Sequence, residues 1–370
     1  MNPRELPSLL PGLPPGAEIL IIRLRSLGDV VLLTPALAAL HSWRPDLRLS
    51  VLVEPEWRAV LEGNPAVSEI LIARGFAATA LALRRKRFPI VFNQHGGPRS
   101  AFLTAAIGAP ARVCWKGKQF DFLYNVLAPD AIEFYGTLQV HTVEQRMSQF
   151  YWTGLPRGPI PRAGVFPQAD ARQTIGEILS ARAIAAGEPY AVIQPGGRYF
   201  TKRWAIEHFV ELAQWLTGSR GIRPVVILGP GEREIASAIG ERFGGNAVVL
   251  ESLDLRLLIA LIAGARMFVG NDAGPAHLAA AAGTPAAIIF GSSSSVHWRP
   301  WKVEHRVVQN DLPCNPCEGD RCYAFDKPKC ILSISFEQVR DACAALLAGT
   351  DRGAPTDGQA PVKIEGIRTN

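Results

Sequence analysis

The segment that decides the fold is Glu18-Ile-Leu-Ile-Ile-Arg-Leu (18–24), followed directly by Arg25-Ser-Leu-Gly-Asp (25–29). A short, continuous apolar run of this kind is typical of a strand buried in a parallel sheet. The polar residues after it predict a turn, and the helical spacing of apolar residues over 30–42 predicts a helix. A strand, a turn and a helix in succession begin a βαβ unit.

The same alternation continues along the chain and restarts in its second half. Further strands are predicted at 49–53, 70–72, 90–93, 190–194, 223–228, 247–250, 267–270 and 286–290, and helices at 57–62, 206–217, 276–282 and from residue 232 onwards. Between the halves lies a Pro/Gly-rich stretch, 154–167, that is typical of a linker. The sequence therefore predicts an α/β protein with a flexible leader (1–17), two Rossmann-like parallel-sheet domains (18–165 and 166–348) and a disordered tail (349–370). If the carboxyl ends of both sheets point at each other, ligands bind in the cleft between the domains.

Composition restricts the class of protein. The 370 residues are 48% hydrophobic and 19% charged, which fits a packed enzyme and excludes a disordered chain. No apolar run reaches the roughly 18 residues of a membrane span, and the Pro-rich first residues do not form a secretory signal, so we expect a cytoplasmic protein. The net charge of +6 favours anionic partners, but no nucleic-acid-binding motif is present.

The first candidate for chemistry is Asp29, at the end of the first predicted strand. One reading is structural, because an Asp before an apolar helix caps free N–H groups. The other is a carboxylate that takes a proton from an attacking hydroxyl. Gly28 beside it lets a substrate approach the backbone closely.

Two segments of the second half predict anion binding. After a strand, Gly196 and Gly197 expose backbone N–H groups, and Arg198 and Lys202 add positive charge. The alternative is an ordinary glycine turn with solvated basic residues. The loop is not a P-loop, since the GxxxxGK[ST] spacing is absent.

The second segment is Gly270-Asn-Asp-Ala-Gly-Pro-Ala-His, at another strand end. Free N–H groups near Gly274, at the start of a small-residue helix, point toward a diphosphate. Asp272 and Ala273 precede this helix, and His277 in its first turn contacts a phosphate or has a structural role.

A further carboxylate follows the strand that ends at Leu228. Glu232 or Glu234 is placed to hold ribose hydroxyls or, equally, to favour a helix N-terminus.

Three segments together resemble glycosyltransferase family 9, the ADP-heptose:lipopolysaccharide heptosyltransferases. They are IIRLRSLGDVVLLTPALAAL (21–40), PGGRYFTKRW (195–204) and NDAGPAHLAAAAGTP (271–285), and the resemblance covers residues 18–345. Softer likenesses are NQHGGPRS (93–100) and HTVEQR (141–146).

The resemblance implies a GT-B fold and an inverting transfer that requires no cofactor and no catalytic metal. It implies that Asp29 is the general base and that Lys202 contacts the donor phosphates. It places Asp272, Gly274 and His277 on the family's D-[TS]-G-x-x-H donor loop, where this chain has Ala273 instead of Thr or Ser.

The resemblance also implies the partners. The donor is ADP-heptose, and the acceptor is the anionic inner core of lipopolysaccharide, either Kdo-lipid A or an already heptosylated core. We expect Arg99, Ser100 and the basic run 84–87 on the acceptor side, and a peripheral position at the cytoplasmic membrane face.

Four cysteines lie close together after the second sheet. Their spacing, Cys314-x₂-Cys317-x₄-Cys322-x₇-Cys330, predicts a structural metal site, most simply zinc. A [4Fe–4S] cluster, disulfides and free thiols are the alternatives.

Three other functions compete with the leading one. They are a GT-B transferase for another nucleotide sugar, a non-catalytic nucleotide-sugar-binding protein, and a redox protein built on the cysteines. The presence of both Asp29 and Lys202 argues against the second, and the third leaves both strand-end loops unexplained.

Overall fold

The computed structural model describes residues 8–232, 235, 242–243, 247–317 and 319–350. The chain divides into two compact units between Gln168 and Ala169, three residues after the boundary expected from the sequence. We refer to them as unit 1 and unit 2.

Unit 1 contains a six-stranded parallel sheet in the order β3-β2-β1-β4-β5-β6. Its strands are β1 (Glu18–Ile22), β2 (Arg48–Val53), β3 (Glu69–Ile72), β4 (Ile90–Asn93), β5 (Ala111–Trp115) and β6 (Val126–Ala128). Its helices are α1 (Leu27–Val31), α2 (Thr34–Trp43), α3 (Phe76–Lys86), α4 (Pro98–Ile107), α5 (Ala131–Tyr135) and α6 (Thr142–Trp152), with 3₁₀ turns at Pro55–Val60 and Asp121–Leu123.

Unit 2 repeats this design. Its parallel sheet has the order β12-β11-β10-β7-β8-β9. Read from β9, this is the order of unit 1 with six added to each strand number. The strands are β7 (Tyr190–Gln194), β8 (Arg223–Leu228), β9 (Val248–Glu251), β10 (Met267–Asn271), β11 (Ala286–Ile289) and β12 (His305–Val308). The described helices are α7 (Ala169–Ser180), α8 (Ile206–Arg220), α9 (Leu255–Gly264), α10 (Gly274–Ala282), α11 (Ser295–Trp298), α12 (Lys329–Leu332) and α13 (Phe336–Thr350), with a 3₁₀ turn at Phe200–Lys202.

The apolar runs explain the central strands. In β1, residues 19–22 are fully buried, as expected of a strand covered on both faces. Strand β7 is buried along its whole length. In both sheets the first strand lies beside the fourth of its unit, β1 beside β4 and β7 beside β10. The strand order reverses there, and open α/β sheets bind ligands at this point, beyond the carboxyl ends of the strands.

The α/β class and the doubled parallel sheet are confirmed, with differences of detail. The single helix expected over 30–42 is two helices, because Pro35 begins a new one at α2. Strands β5, β6 and β12 were not expected. The helix expected from residue 232 onwards lies mostly outside the described residues. That the two sheets face each other across a cleft stays a prediction.

The ends of the chain differ partly from expectation. Residues 8–17 pack onto unit 1 instead of forming a free leader. Leu10 is fully buried, its N–H donates to the Thr153 carbonyl (3.0 Å), and Arg44 donates to the carbonyls of Leu10 and Leu13. The tail expected from residue 349 lies outside the described residues except for 349–350, which end α13. Over the described residues, no helix is long and apolar enough to cross a membrane.

Candidate active site

Asp29 lies beyond the carboxyl end of β1, where the strand order of unit 1 reverses. It is the third residue of the short helix α1, and its Oδ2 accepts hydrogen bonds from the Ser26 hydroxyl (3.0 Å) and N–H (3.3 Å). The helix cap is therefore Ser26, and Asp29 is its partner in a capping box. This structural role fixes the carboxylate in place and leaves its side chain 19% exposed.

Two buried arginines hold the other oxygen of Asp29. Arg23 directly follows β1, and Arg146 lies in α6. Both form salt bridges with Asp29 Oδ1, and the distance from Arg146 is 2.8 Å. Each guanidinium also donates to the Gln94 carbonyl. Oδ1 is thus bonded by two cations, whereas the hydrogen bonds to Oδ2 come from neutral donors.

The charges around Asp29 decide its protonation. Burial alone would raise the pKa of Asp29, but Arg23, Arg146 and the Ser26 N–H hold it well below its usual range. Burial, and repulsion from Arg23, lower the pKa of Arg146 to about 9, so this cation stays charged at neutral pH. Asp29 is therefore ionised at physiological pH, and Oδ2 is the oxygen better placed to receive a proton.

The loop after β4 completes this side of the site. Burial and the Arg23 charge lower the pKa of His95 to about 4, so its ring is neutral at physiological pH. Among the described residues, four buried side-chain atoms here have no hydrogen-bond partner. They are Gln94 Oε1, His95 Nδ1, Arg23 Nε and Arg146 Nε. Buried polar groups normally have partners, so such a group of orphans indicates where a polar ligand or water binds.

The residues expected on the acceptor side are placed differently from one another. Gly28 is buried in α1 beside Asp29. Arg99 is 44% exposed and donates to Glu54 Oε1 (2.8 Å) and the Arg74 carbonyl (2.7 Å). Ser100 is fully buried, and its hydroxyl donates to the Gly97 carbonyl inside the first turn of α4. An acceptor contact of Arg99 or Ser100 stays a prediction.

The basic run 84–87 lies at the wrong edge of the sheet for the expected contact with the reacting acceptor. Helix α3 leads from the carboxyl end of β3 back to the amino end of β4, so its last turn is separated from the Asp29 edge by the length of β4, about 13 Å. Arg84 and Arg87 line a cavity near Ile107 and Pro110, and Lys86 pairs with Glu18 and Glu69.

In unit 2, Asn271 joins the two segments predicted to bind an anion. Its Nδ2 donates to the carbonyls of Pro195 (2.8 Å) and Gly196 (3.0 Å), and its Oδ1 accepts from the Trp204 N–H (3.1 Å). Beside it, Lys202 Nζ contacts Asp272 Oδ2 at 2.8 Å. The structure therefore brings Lys202 and Asp272 together where the strand order of the second sheet reverses.

Glu232 bridges two strand-end loops. Its carboxylate accepts from the Gly197 N–H (3.0 Å), after β7, and from the Gly229 N–H (2.8 Å), after β8. A Cβ on Gly196 would overlap this carboxylate, which explains the glycine. The N–H cradle predicted from the sequence is present, and a carboxylate of the same chain fills it. Glu234 lies outside the described residues.

The remaining donor-loop residues surround the start of α10. Ala273 is its N-cap and provides no side-chain hydrogen bond, and Gly274 is its first residue. His277 is 4% exposed, with its ring centroid 6.1 Å from that of Trp298. Arg198 is exposed and lies over the Tyr199 ring at 5.3 Å.

The model of glycosyltransferase family 9 (heptosyltransferase) matches residues 77–326. The chain belongs to this family. It is therefore a glycosyltransferase.

Similar family 9 proteins cover most of the chain. It is 27% identical over 368 residues to lipopolysaccharide heptosyltransferase 1 of Pseudomonas aeruginosa, covering 89% of this chain and 98% of that protein. It is 25% identical over 290 residues to lipopolysaccharide heptosyltransferase 3 of Escherichia coli, covering 74% and 83%. The structure of the E. coli ADP-heptose LPS heptosyltransferase II aligns with a TM-score of 0.76 at 22% identity, covering 90% and 99% of the two chains, which confirms the GT-B fold.

In this family 9 enzyme the four clustered cysteines lie close together, but among the described residues they are not arranged to coordinate a metal ion. Cys314, Cys317, Cys322 and Cys330 line one cavity of about 110 Å³, and all four are free thiols. Within the described ranges, no group of three or more His, Cys, Asp or Glu side chains is arranged to hold a metal ion. The structural zinc stays a prediction and requires the thiols to move closer together.

The cysteine loop packs against the 3₁₀ turn Phe200–Lys202. The Thr201 hydroxyl, next to Lys202, donates to the Gly319 carbonyl, and the Cys317 N–H donates to the Ser292 carbonyl (2.9 Å). The loop thus supports the turn that carries Lys202.

Sequence reasoning missed Arg23, Arg146 and Glu232's bond to the Gly197 N–H. Arg23 carries a local signal, since a charged residue at the end of a buried apolar run requires a partner. Arg146 lies in the segment of softer likeness (141–146) but carries no local signal, because its partner Asp29 is 117 residues away.

Proposed function

We propose that this glycosyltransferase moves a heptosyl group from ADP-heptose to a sugar hydroxyl of the lipopolysaccharide inner core, with inversion at the anomeric carbon. Membership of family 9 and the heptosyltransferases named above support the donor and the acceptor. The observation that carries the proposal is an ionised carboxylate, Asp29, where the strand order of unit 1 reverses, with the Lys202–Asp272 pair at the equivalent place in unit 2.

The proposed reaction is a single displacement. The acceptor hydroxyl oxygen attacks the anomeric carbon, its proton passes to Asp29 Oδ2, and the bond from that carbon to the diphosphate oxygen breaks, releasing ADP. Because Arg23 and Arg146 make Asp29 a weak base, the proton moves late, when the attacking oxygen has already begun to bond and become acidic. Oδ1 keeps both arginines throughout, so the carboxylate does not turn away.

On the donor side, the departing diphosphate gathers negative charge. Lys202 and the N–H groups at the start of α10 are the donors that stabilise it, whereas the Gly197 N–H already bonds Glu232. Removing one such preorganised donor typically costs about 10²–10³-fold in rate. Asp272 holds Lys202 in position, and Glu232 fixes the loop that approaches the ribose.

The acceptor fits the charge of the chain. Residues 1–168 contain 18 Lys and Arg against 12 Asp and Glu, so they carry the whole formal excess of +6. The inner-core acceptor has carboxylates and phosphates, which this field attracts. We propose that the enzyme acts at the cytoplasmic membrane face, where a lipid-anchored acceptor is presented.

A thermal-shift panel tests the donor. ADP-heptose at 100 times its Kd should stabilise the protein by about 2.7 kcal/mol, or about 5–10 °C in melting temperature for a unit of this size. GDP- and UDP-sugars at the same concentration should give no shift. Stabilisation by a GDP- or UDP-sugar instead would refute ADP-heptose as the donor. This outcome is worth testing because the chain has Ala273 in place of Thr or Ser. Stabilisation by ADP-heptose without transfer to inner-core acceptor would indicate a binding protein.

A further inference from the structure

A loop rich in aromatic and basic residues borders the Asp29 edge of unit 1. Strand β5 ends at Trp115 and is followed by residues 116–120 and the 3₁₀ turn Asp121–Leu123. Because β5 runs parallel to β1, this loop emerges at the same edge of the sheet as Asp29. The side chain of Lys118 lies against Gly96, in the loop after β4 that carries His95.

Three phenylalanines form one continuous group here, which we call the aromatic edge: Phe102, Phe120 and Phe122. The ring centroids of Phe102 and Phe120 are 5.0 Å apart, and those of Phe120 and Phe122 are 6.2 Å apart. Phe120 packs onto the small core cluster beneath it. Phe102 and Phe122 are instead 46% and 76% exposed. The edge therefore has a fixed base and two rings that project into solvent.

The positive charge around the aromatic edge favours an anionic lipid surface as its partner. Lys116 and Lys118 are exposed on the same loop, and unit 1 carries all of the chain's net positive charge. Exposed aromatic rings with flanking lysines match the boundary of an anionic bilayer, in which rings enter the headgroup region and ammonium groups meet lipid phosphates. A second protein would instead bury the rings in a drier, less cationic interface.

We propose that the aromatic edge docks this enzyme onto an anionic lipid surface, so that a membrane-anchored acceptor reaches Asp29 from the bilayer. The inference rests on the proposed function for its acceptor, but not for lipid binding itself. Docking at this edge brings the acceptor sugar and the base to the same end of the sheet, and the aromatic edge contributes affinity without contacting the reacting atoms.

Vesicle co-sedimentation of the full chain tests the docking. We expect binding to vesicles of 70% phosphatidylcholine and 30% phosphatidylglycerol, and weak binding to pure phosphatidylcholine. Phe122→Ser should weaken binding to the anionic vesicles about 10-fold. Replacing Lys116 and Lys118 by Gln should weaken it about 30-fold at low salt. Leu332→Ser is the matched control, because Leu332 is also exposed (46%) but lies in α12 of unit 2.

Unchanged vesicle binding by Phe122→Ser, or equal binding of the wild type to both vesicles, would overturn the proposal. So would a dimer in solution that Phe122→Ser dissociates, since a second copy would then cover the edge.

A transfer assay separates this inference from the proposed function. With ADP-heptose, Phe122→Ser should transfer to a de-acylated, water-soluble acceptor at the wild-type rate, and about 10-fold more slowly to the same acceptor anchored in vesicles. Equal rates on both acceptors would refute the docking role. Failure of the wild type to transfer to either acceptor, while it still binds anionic vesicles, would refute the proposed function and leave the docking surface supported.

Discussion

The variant Arg146→Met distinguishes the contribution of the buried Arg146 guanidinium to catalysis from its contribution to stability. The guanidinium bonds Asp29 Oδ1 (2.8 Å) and the Gln94 carbonyl (3.2 Å), and it lies 5.4 Å from the centre of the Trp115 ring. Methionine keeps an unbranched, flexible side chain against Trp115 and removes both charged hydrogen bonds. Arg23 remains on Asp29, so the carboxylate is still paired after the change.

Two opposing effects set the stability change. Each lost charged hydrogen bond contributes about 1.5–3 kcal/mol. Against this, burial and the Arg23 charge disfavour the charged form of Arg146 and lower its pKa to about 9. Replacing a buried ion pair by apolar residues often costs little stability. We expect these effects to cancel within about 1 kcal/mol, which is about 2–4 °C in melting temperature.

Catalysis should respond much more strongly. With one cation left, Asp29 loses half of the clamp that fixes its orientation, and a small misplacement of a catalytic group can cost about 10²-fold. The pKa of Asp29 should also rise toward its usual range, so the acid limb of the kcat/KM profile moves to higher pH. The KM for the donor should not change, because Lys202 and Asp272 belong to unit 2.

Steady-state transfer between pH 4 and 9, with a thermal melt of each variant, measures these effects. Arg157→Met, an exposed arginine of the same unit, is the control and should match the wild type. A wild-type kcat in Arg146→Met would refute the clamp. So would a fall in melting temperature of more than about 10 °C that accounts for the lost activity, since Arg146 would then be structural.

Three further predictions follow from the site. Glu232→Ala frees the N–H groups of Gly197 and Gly229 and removes the bridge between their loops. Because loss of the bridge loosens the loop that approaches the ribose, calorimetry should show ADP binding weakened about 10-fold, whereas Glu207→Ala should have no effect. Unchanged ADP affinity of Glu232→Ala would contradict the role of the bridge. Because the pKa of Asp29 is depressed in the fold, its ionised form stabilises the protein above the unfolded value of about 3.9, and this contribution is lost as pH falls toward the folded value. The gap in unfolding free energy between wild type and Asp29→Asn should therefore narrow below about pH 4, and a constant gap would argue against the depressed pKa. Elemental analysis should find one zinc per chain, lost in Cys330→Ser, whereas a metal-free protein with four titratable thiols in the 314–330 loop would contradict the zinc prediction.

The sequence was enough for the central strands and for the residues at their ends. Continuous apolar runs such as 19–22 and 190–193 are long enough to identify strands buried on both faces, and residues directly after such strands lie at the ligand-binding edge. Asp29 and Lys202 were found in this way. Strands β5, β6 and β12 were missed because polar residues interrupt or shorten their apolar runs. Arg112 interrupts β5, β6 has only three residues, and β12 begins with His305 and Arg306.

Contacts between distant residues could not be predicted from spacing. Arg146 contacts Asp29 only because α6 packs beside β5 and β6. The sequence around Arg146 does not predict this packing. The likeness over 141–146 marked the segment but gave it no role. For the basic run 84–87, charge alone suggested acceptor contact, whereas topology places it at the amino edge of the sheet. Composition cannot distinguish the two edges.

The variant Asp29→Asn tests whether Asp29 is the base of a heptosyl transfer. Asparagine keeps the size of the side chain but cannot accept the proton, and loss of a general base costs about 10²–10⁴-fold. We expect ADP-heptose to stabilise this variant as much as the wild type, while transfer to the inner-core acceptor falls by that factor. Turnover at the wild-type rate in a folded Asp29→Asn variant would contradict this role of Asp29.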